Sequence, residues 1–306
     1  MASLTRALVG LHGAGRKDTY GAALLDVAQD HLLWLLDELG HFDGDALAFK
    51  GGTSLRKCRL GGSGRFSTDL DFVAPSEDTV LAVCESIDGA SVSGFQFTLE
   101  STRGDGRHWD LRVRHPDLGE PDLVASVEFA RRPLVRAVER MTFVHLPIHR
   151  SYDIELPLLP VIAEAEACAE KLARYRRVAL GRDAYDLAQF ARRPLDEVIV
   201  RRLWVLKVWG DVVDDGRGEK PLDPEDVLTV RKEADFAPES IGKLTNPIDL
   251  IGWERDVRQR FGFLAEFDEC ESRWAKCNPR DRFDVLQAIA TGGFPSARHR
   301  PEDAKR

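Results

Sequence analysis

The sequence lacks any apolar run long enough to cross a membrane, and its first residues do not have the layout of a signal peptide. We therefore expect no membrane association. Hydrophobic residues make up 43% of the 306 residues and charged residues 31%, a balance that is typical of globular domains. A chain of this length can form two domains, each with its own hydrophobic core.

Cysteine is scarce, and none of the cysteines lies in a CxxC pair or in metal-ligand spacing. The five cysteines are Cys58, Cys84, Cys168, Cys270 and Cys277. We expect them to be reduced and structural, as in a cytoplasmic protein. Basic residues are also fewer than acidic ones, with 43 lysines and arginines against 51 aspartates and glutamates. The net charge of −8 argues against a protein that coats nucleic acids, although local basic patches can still bind a nucleic-acid substrate.

The stretch from Ala48 to Val73 contains a glycine turn directly after a short apolar run. The apolar run that ends at Phe49 predicts a short buried strand, and Gly51 and Gly52 predict a sharp turn directly after it. Thr53 is expected to cap the helix that follows or to donate its hydroxyl. A glycine turn before a helix exposes backbone N–H groups, and this arrangement suits phosphate.

Two aspartates follow the turn in an alternating segment. Because side chains alternate between the faces of a strand, Asp69 and Asp71 point the same way, whereas Leu70 and Phe72 point into a core. Two like charges on one face favour a bound cation. Mg²⁺ (or Mn²⁺) is expected, because it binds carboxylate oxygens together with substrate phosphates. Either motif alone usually marks a turn or a solvated strand edge, but their combination predicts a site for metal-assisted nucleotidyl transfer.

These two blocks resemble a known family. GGTSLRK followed by RFSTDLDF is similar to the nucleotidyltransferase superfamily of the DNA polymerase beta type. It is more closely similar to the AbiEii-type toxins of type IV toxin–antitoxin systems, a group that includes the MenT toxins. The resemblance implies that Asp69 and Asp71 are catalytic and hold the metal ion. It also implies a nucleotide-binding set: Gly51, Gly52, Thr53, Lys57 and Ser67.

Residues 1–156 are predicted to form the nucleotidyltransferase catalytic domain, an α+β lobe with a mixed sheet flanked by helices. Helical periodicity marks 20–39 and 79–87, and alternation marks 95–99, 109–114, 123–129, 141–148 and 154–156. Transferases of this type usually take a third carboxylate from a later strand. Glu128 is one candidate for this metal ligand and Asp110 is the other. Either can instead be an ordinary charged residue on a sheet face.

Residues 157–306 are predicted to form a mostly helical domain that completes the cleft. Helices are expected at 161–180, 182–191, 195–213, 224–235, 249–268 and 280–291. Arginines concentrate between Arg131 and Arg202, which favours a cleft for a polyanion, although many of them are expected on solvated helix faces. Lys207 is expected to be a surface lysine with no role in the site.

A second block extends the resemblance to the AbiEii family. Glu170 to Tyr175 is followed by the segment RDAYDL, and this order matches the family's K…R and RDxxDL segments. The resemblance implies that Lys171, Asp183 and Asp186 are catalytic and that Arg182 binds the nucleotide. Residues three apart share a helix face, so an interhelix salt bridge between these lysine, arginine and aspartate side chains is the structural alternative.

The resemblance implies a Mg²⁺-dependent transfer of a nucleoside monophosphate from an NTP, with pyrophosphate released. The implied acceptor is the 3′ end of tRNA, the implied outcome is blocked translation, and the implied partner is an antitoxin encoded nearby. Two other functions stay open. One is transfer to a protein or a small molecule, which the acidic net charge favours. The other is a non-catalytic nucleotide-binding module, which the intact glycine and aspartate motifs disfavour.

Overall fold

The chain forms two compact units, each assembled from several stretches of sequence. The computed structural model describes residues 4–101, 104–119, 123–218, 221–237 and 241–294. The first unit comprises Met1–Pro133, Val138–Ile162 and Glu239–Asp249, and the second comprises Leu134–Ala137, Ala163–Pro238 and Leu250–Arg306. This division differs from the predicted boundary after residue 156, because the strand that begins at Leu159 pairs into the sheet of the first unit.

A mixed eight-stranded sheet forms the centre of the first unit. Its strands are β1 Ala48–Lys50, β2 Leu70–Val73, β3 Ser91–Val92, β4 Phe95–Ser101, β5 His108–Arg114, β6 Leu123–Ala130, β7 Glu139–Met141 and β8 Leu159–Val161. Their order across the sheet is β3-β4-β5-β6-β2-β1-β8-β7. The pairs β1/β8 and β2/β6 are parallel, and the other neighbouring pairs are antiparallel. The predicted mixed sheet is confirmed.

Three of the strands predicted from alternation are present as β4, β5 and β6. The two predicted strands that follow them were wrong. Most of 141–148 is irregular, and 154–156 contains no strand. Pro147 instead begins the short 3₁₀ helix Pro147–Ser151. Proline has no N–H to give to a sheet and fits the first turn of a helix.

Helices cover the apolar face of this sheet. The described part of the first unit contains the α-helices α1 Arg6–His12, α2 Tyr20–Glu38, α3 Gly51–Leu55 and α4 Glu77–Ile87. Helix α2 packs against β6 and α4. Below it, the ring of Phe72 lies 5.5 Å from that of Phe49 and 5.8 Å from that of Phe129, and all three are buried. The apolar side chains of β1, β2 and β6 therefore form one layer of core.

The second unit is mainly helical, as predicted. Its described α-helices are α5 Glu164–Arg177, α6 Gly181–Ala191, α7 Glu197–Val213, α8 Glu225–Leu228, α9 Leu250–Arg260, α10 Glu269–Trp274 and α11 Arg282–Ala290. The helices predicted at 224–235 and 249–268 are shorter than expected. Helix α5 packs on α6 and α7, and α9 packs on α6. In the described part of the chain, no helix combines the length and apolar character that a membrane span requires.

Candidate active site

A row of four polar side chains crosses one face of the sheet of the first unit. Lys50, Asp71, Glu128 and His108 are successive register partners across β1, β2, β6 and β5. Directly paired residues point to the same face of a sheet, so these side chains lie side by side, on the face opposite the phenylalanine core. The predicted strand alternation at Asp71 is therefore confirmed.

A second row lies beside the first. Asp69 immediately precedes β2 and shares the face of Asp71. Its Oδ1 accepts hydrogen bonds from the hydroxyls of Thr68, at 2.9 Å, and Ser126, at 3.4 Å. Ser126 is in turn the register partner of Asp110 on β5. The two aspartates of the motif thus lie in two adjacent rows of polar side chains, with Lys50 beyond Asp71 in the first row.

The sheet register separates the two candidates for a third carboxylate. Glu128 is the direct partner of Asp71 on the neighbouring strand, whereas Asp110 lies one strand further away, beyond Ser126. Glu128 is also half-exposed, and its Oε2 lies 3.9 Å from Nε2 of His108. Within the described ranges, no three His, Cys, Asp or Glu side chains converge closely enough to hold a metal ion on their own. The role of Glu128 as a metal ligand stays a prediction.

The glycine turn touches the carboxylate of Asp71 directly. Gly51 has a φ of +79°, and a Cβ atom added to it would lie 1.8 Å from Oδ2 of Asp71. Only glycine avoids both the steric overlap and the strain of this backbone conformation. The predicted turn therefore has a definite purpose, because it brings the backbone at the start of α3 against the motif carboxylate.

Thr53 donates its hydroxyl, which is one of its two predicted roles, and does not cap the helix. Helix α3 begins at Gly51 and its N-cap is Lys50, so Thr53 lies inside the helix rather than at its cap. The side chain of Thr53 is buried, and its hydroxyl donates a hydrogen bond to the backbone carbonyl of Asp69. The hydroxyl proton thereby fixes the position of Asp69.

Arg65 is a site residue that sequence reasoning missed. Its side chain is buried, and its Nη2 would lie 2.3 Å from a Cβ atom added at Gly52. The guanidinium group therefore packs directly on the backbone of Gly52. Ser67, which was predicted, is also buried there, with its Oγ 3.1 Å from the same Cβ position. The Arg-Phe-Ser sequence ahead of the aspartates is the signal that marks Arg65.

Two distant segments hold this Arg-Phe-Ser sequence in place. Gln29 of α2 donates to the backbone carbonyls of Ser67, at 3.1 Å, and Thr68, at 3.0 Å. Phe66 pairs with Lys243 through an isolated β-bridge, and its N–H lies 2.9 Å from the Lys243 carbonyl. A segment from the second half of the chain thus supports the residues that lead to Asp69.

Lys57, which was predicted to bind the nucleotide, lies in a buried charge cluster. Its ammonium donates to the backbone carbonyl and Oδ1 of Asp26, at 2.8 and 2.9 Å, and lies 2.6 Å from Oδ1 of Asp30. An ammonium has three donor hydrogens, and these acceptors on α2 use all of them. The side chain of Arg56 also binds Asp26, with Nε 3.0 Å from Oδ1.

The pKa values of this cluster reflect its ion pairs. Burial works against the charge of Asp26, but Arg56, Lys57 and a hydrogen bond from His12 outweigh it and hold the pKa well below 3.8. Burial also works against the charge of Lys57, yet Asp26 and Asp30 raise its pKa above 10.5. Both groups therefore stay charged near neutral pH, and the cluster fastens the segment directly after α3 to α2.

The second motif forms a buried ion-pair network between α5 and α6. Lys171 Nζ lies 2.6 Å from Oδ2 of Asp186 and 3.5 Å from Oδ1 of Asp183, and all three side chains are buried. Arg174 donates from Nε to Oδ2 of Asp183 at 2.8 Å. This is the interhelix salt bridge that the sequence left as an alternative. Beside it, Arg182 is half-buried, and its Nε has no hydrogen-bond partner among the described residues.

Lys207 is not a surface lysine, contrary to expectation. It is buried on α7, with its Nζ 2.5 Å from Oε1 of Glu166 and 2.9 Å from Oε1 of Glu170. Several arginines that were predicted to line the cleft likewise form ion pairs with acidic residues of the same unit. Arg201 and Arg202 both bind the buried carboxylate of Glu271 at 2.8 Å. Much of the basic charge of the helical unit is therefore structural.

Known proteins are similar to this chain in sequence and in structure. The family model of the nucleotidyl transferase AbiEii toxin of type IV toxin–antitoxin systems matches residues 34–275. The structure of MenT4, a nucleotidyltransferase toxin from Mycobacterium tuberculosis H37Rv, is similar to this chain with a TM-score of 0.92 and 64% sequence identity. That match covers 95% of this chain and 100% of the MenT4 chain. A comparison with curated protein sequences found no match.

Two structures from Helicobacter pylori are more distant. A putative nucleotidyltransferase and the protein JHP933 are each 16% identical to this chain, with TM-scores of 0.44. The matches cover 83% and 87% of this chain and 99% and 97% of the respective relatives. Similarity at this level supports no argument about the site. The family model, by contrast, spans most of the sequence, and the MenT4 match spans nearly all of it. This chain therefore belongs to the AbiEii nucleotidyltransferase toxin family of type IV toxin–antitoxin systems and is a nucleotidyltransferase.

Proposed function

We propose that this nucleotidyltransferase transfers a nucleoside monophosphate from an NTP to the 3′ end of tRNA and releases pyrophosphate. One observation carries the proposal. The carboxylates of Asp69 and Asp71 share one polar face of the sheet, and the Gly51 backbone meets Asp71 so closely that no side chain fits between them. A phosphate-binding turn next to paired carboxylates is what metal-assisted nucleotidyl transfer requires.

The donor set fits a divalent cation. Asp69, Asp71 and the half-exposed Glu128 offer carboxylate oxygens on adjacent strands. Mg²⁺, or Mn²⁺ in its place, accepts such ligands and completes its coordination with water and substrate phosphates rather than an all-protein cage. Two protein carboxylates with Glu128 nearby therefore suit the proposed ion. When bound, it supplies charge neutralisation for the triphosphate and the acceptor oxygen.

The protein's own groups have separate tasks in this proposal. Backbone N–H groups at Gly51 and Gly52 orient the triphosphate, and Arg65 and Ser67 beside Gly52 add a positive charge and a hydroxyl. The hydroxyl of Thr53 holds Asp69 in position, because it donates a hydrogen bond to the Asp69 backbone carbonyl. In the helical unit, we assign nucleotide contacts to Lys171 and Arg182. Asp183 and Asp186 orient the lysine, since both carboxylates bind its ammonium.

The biological setting follows from the family. A toxin of a toxin–antitoxin system has an antitoxin partner, and a nucleotidyltransferase takes an NTP as substrate. We place the reaction in the cytoplasm, because both NTP and tRNA are there. Addition of a nucleotide to the acceptor end of tRNA prevents aminoacylation, so the proposed outcome is a block of translation.

The test is a transfer assay with the purified full-length chain. Each labelled NTP in turn is incubated with total tRNA or with a tRNA-free protein extract, with Mg²⁺, with Mn²⁺ or with a chelator. We expect label on tRNA, dependent on the metal and absent in the Asp69→Asn variant. The net charge of −8 favours the second candidate, a protein acceptor. Label on protein but not on tRNA would establish that candidate and reject the tRNA proposal.

A further inference from the structure

The polar face of the sheet continues beyond the carboxylates, across β4, β5 and β6. Past the row that contains Asp110, the register pairs Arg112 of β5 with Thr98 of β4 and Val124 of β6. One step further, Arg114 pairs with Gln96. Since paired residues share a face, these side chains extend the surface on which Asp69 and Asp71 lie.

This part of the face is open to solvent. Gln96, Thr98 and Arg114 are exposed, and the apolar residue Val124 on the same face is 49% exposed. The opposite face of the same strands is buried and apolar, with Phe97 and Leu111 fully enclosed. An antiparallel sheet often has one solvated face, so exposure alone indicates nothing. Two features of this face are informative. The face is continuous with the candidate active site, and the sign of its charged side chains changes along it.

Charge changes sign along β5 with distance from the carboxylates. Asp110 lies in the row of Asp69, whereas Arg112 and Arg114 lie two and four residues further along the same strand face. At the rise of a strand, the two guanidinium-bearing positions are ~7 Å and ~14 Å from Asp110. Positive charges repeated at this interval suit the successive phosphates of an extended nucleic-acid strand.

The ion pair between Arg112 and Glu100 does not prevent such binding. Arg112 binds Glu100 across the strands, with Nε 3.0 Å from Oε1 and Nη2 3.2 Å from Oε2. The two side chains are 43% and 59% exposed. Exposed ion pairs are weak and screened by salt, so the guanidinium group can exchange this carboxylate for a phosphate.

We propose that the face formed by Arg112, Arg114, Thr98, Gln96 and Val124 binds the sugar–phosphate backbone of the acceptor nucleic acid. The strand runs along β5, and its terminal hydroxyl reaches Asp69 and Asp71. This inference rests on the proposed function and adds the path of the acceptor. None of the residues that β4, β5 and β6 direct to this face between Gln96 and Glu128 is aromatic apart from His108. The face therefore binds the backbone and leaves base recognition to other parts of the chain.

The test compares two charge reversals in the full-length protein. The variant Arg112→Glu/Arg114→Glu changes the proposed face, and Arg16→Glu is the control, because Arg16 is an exposed arginine outside β4, β5 and β6 with its own acidic partner, Asp18. Binding of labelled total tRNA is measured by fluorescence anisotropy over a range of salt concentrations. Thermal denaturation checks that each variant is folded.

We expect the double variant to bind tRNA at least about tenfold more weakly than wild type, while the Arg16→Glu variant binds like wild type. The slope of log K against log salt should fall by about 0.7 to 0.9 for each lost phosphate contact. The KM for the NTP should not change. The neutral variant Arg112→Gln/Arg114→Gln should give a smaller loss in the same direction.

Equal tRNA affinity and equal salt slopes in the double variant and the control would overturn the inference. Its failure is distinguishable from failure of the proposed function. If wild type modifies tRNA but the double variant modifies it with an unchanged KM, only the acceptor path is wrong. If wild type transfers the nucleotide to protein and does not bind tRNA, the acceptor class is wrong and the path falls with it.

Discussion

Two groups of acidic residues lie within the first unit and differ in how their charge is balanced. Asp26 and Asp30 are buried on α2, where Arg56 and Lys57 neutralise them at 2.6 to 3.0 Å. Asp69, Asp71 and Glu128 lie together on a half-exposed sheet face, in rows that also contain Asp110, Lys50 and His108. Buried charges must be fully paired, because an unpaired ion loses its solvation. Like charges gathered at an accessible face are the arrangement that attracts a cationic ligand.

The same comparison applies to the lysines. Lys57, Lys171 and Lys207 are all buried, and each binds two carboxylates. Two of them belong to family motifs and the third does not. Membership of a motif therefore does not distinguish a nucleotide contact from a structural ion pair. Only an effect on the reaction, measured beyond any effect on folding, can do so.

The largest effect is expected at the accessible carboxylates. Asp69→Asn and Asp71→Asn should each lower kcat on the order of 10³-fold or more, because each removes charge from the proposed metal site. Stability should stay equal or rise, since a like-charge repulsion is relieved. Activity is measured with a labelled NTP, and stability by chemical denaturation. Asp18→Asn, at an exposed carboxylate, is the matched control. If both variants keep wild-type activity, the comparison between the two acidic groups fails.

A sharper comparison pairs Lys171→Met with Lys207→Met. Lys171→Met leaves the buried Asp183 and Asp186 without their lysine. Lys207→Met does the same to the buried Glu166 and the half-buried Glu170, so each variant should lose on the order of 3 kcal/mol of stability. At a temperature where both remain folded, Lys171→Met should also raise the KM for the NTP by about tenfold or more, whereas Lys207→Met should leave it unchanged. Equal kinetic parameters in the two variants would make Lys171 a structural residue only.

The glycines of the turn provide a third comparison. Gly51→Ala places a Cβ atom 1.8 Å from Oδ2 of Asp71 at a φ of +79°, so the carboxylate or the backbone must move. Gly52→Ala meets the end of the Arg65 side chain, which can shift. We expect Gly51→Ala to lower kcat/KM by about 10 to 100-fold, and Gly52→Ala by less, because displacement of a catalytic group is costly. A larger loss in Gly52→Ala would mean that Arg65, and not Asp71, is the critical neighbour of the turn.

Local patterns predicted the parts of the site that depend on neighbours in sequence. Alternation placed Asp69 and Asp71 on one face, and the paired glycines marked the turn at Gly51. The choice between Glu128 and Asp110 needed the pairing of β6 with β2, which local alternation does not contain. Sequence spacing therefore left it open, and the register places Glu128 nearer.

Other features depended on where a side chain points in the folded chain. Lys57 follows the turn closely, yet its side chain is directed to α2 because Asp26 and Asp30 are there. The bridge from Phe66 to Lys243 joins positions 177 residues apart, and no periodic pattern announces it. A motif thus predicts the types of residue that bind a ligand. It is less reliable in predicting which individual side chains make the contacts.

The smallest effect concerns acid stability, and it tests the buried group of the comparison. The pKa of Asp26 is held well below its ordinary value of 3.8, so its ionisation stabilises the fold above that pH. This stabilisation is lost as the pH falls through the lower folded pKa, because the unfolded chain takes up the proton first. Each such carboxyl contributes a slope of about 1.4 kcal/mol per pH unit to the free energy of unfolding in that window. Urea unfolding measured from about pH 4 downward should therefore give a slope that is smaller in Asp26→Asn than in wild type by up to one proton. If Asp26→Asn keeps the wild-type slope, Asp26 is not the ionised partner of Arg56 and Lys57, and the contrast with the accessible carboxylates loses its basis.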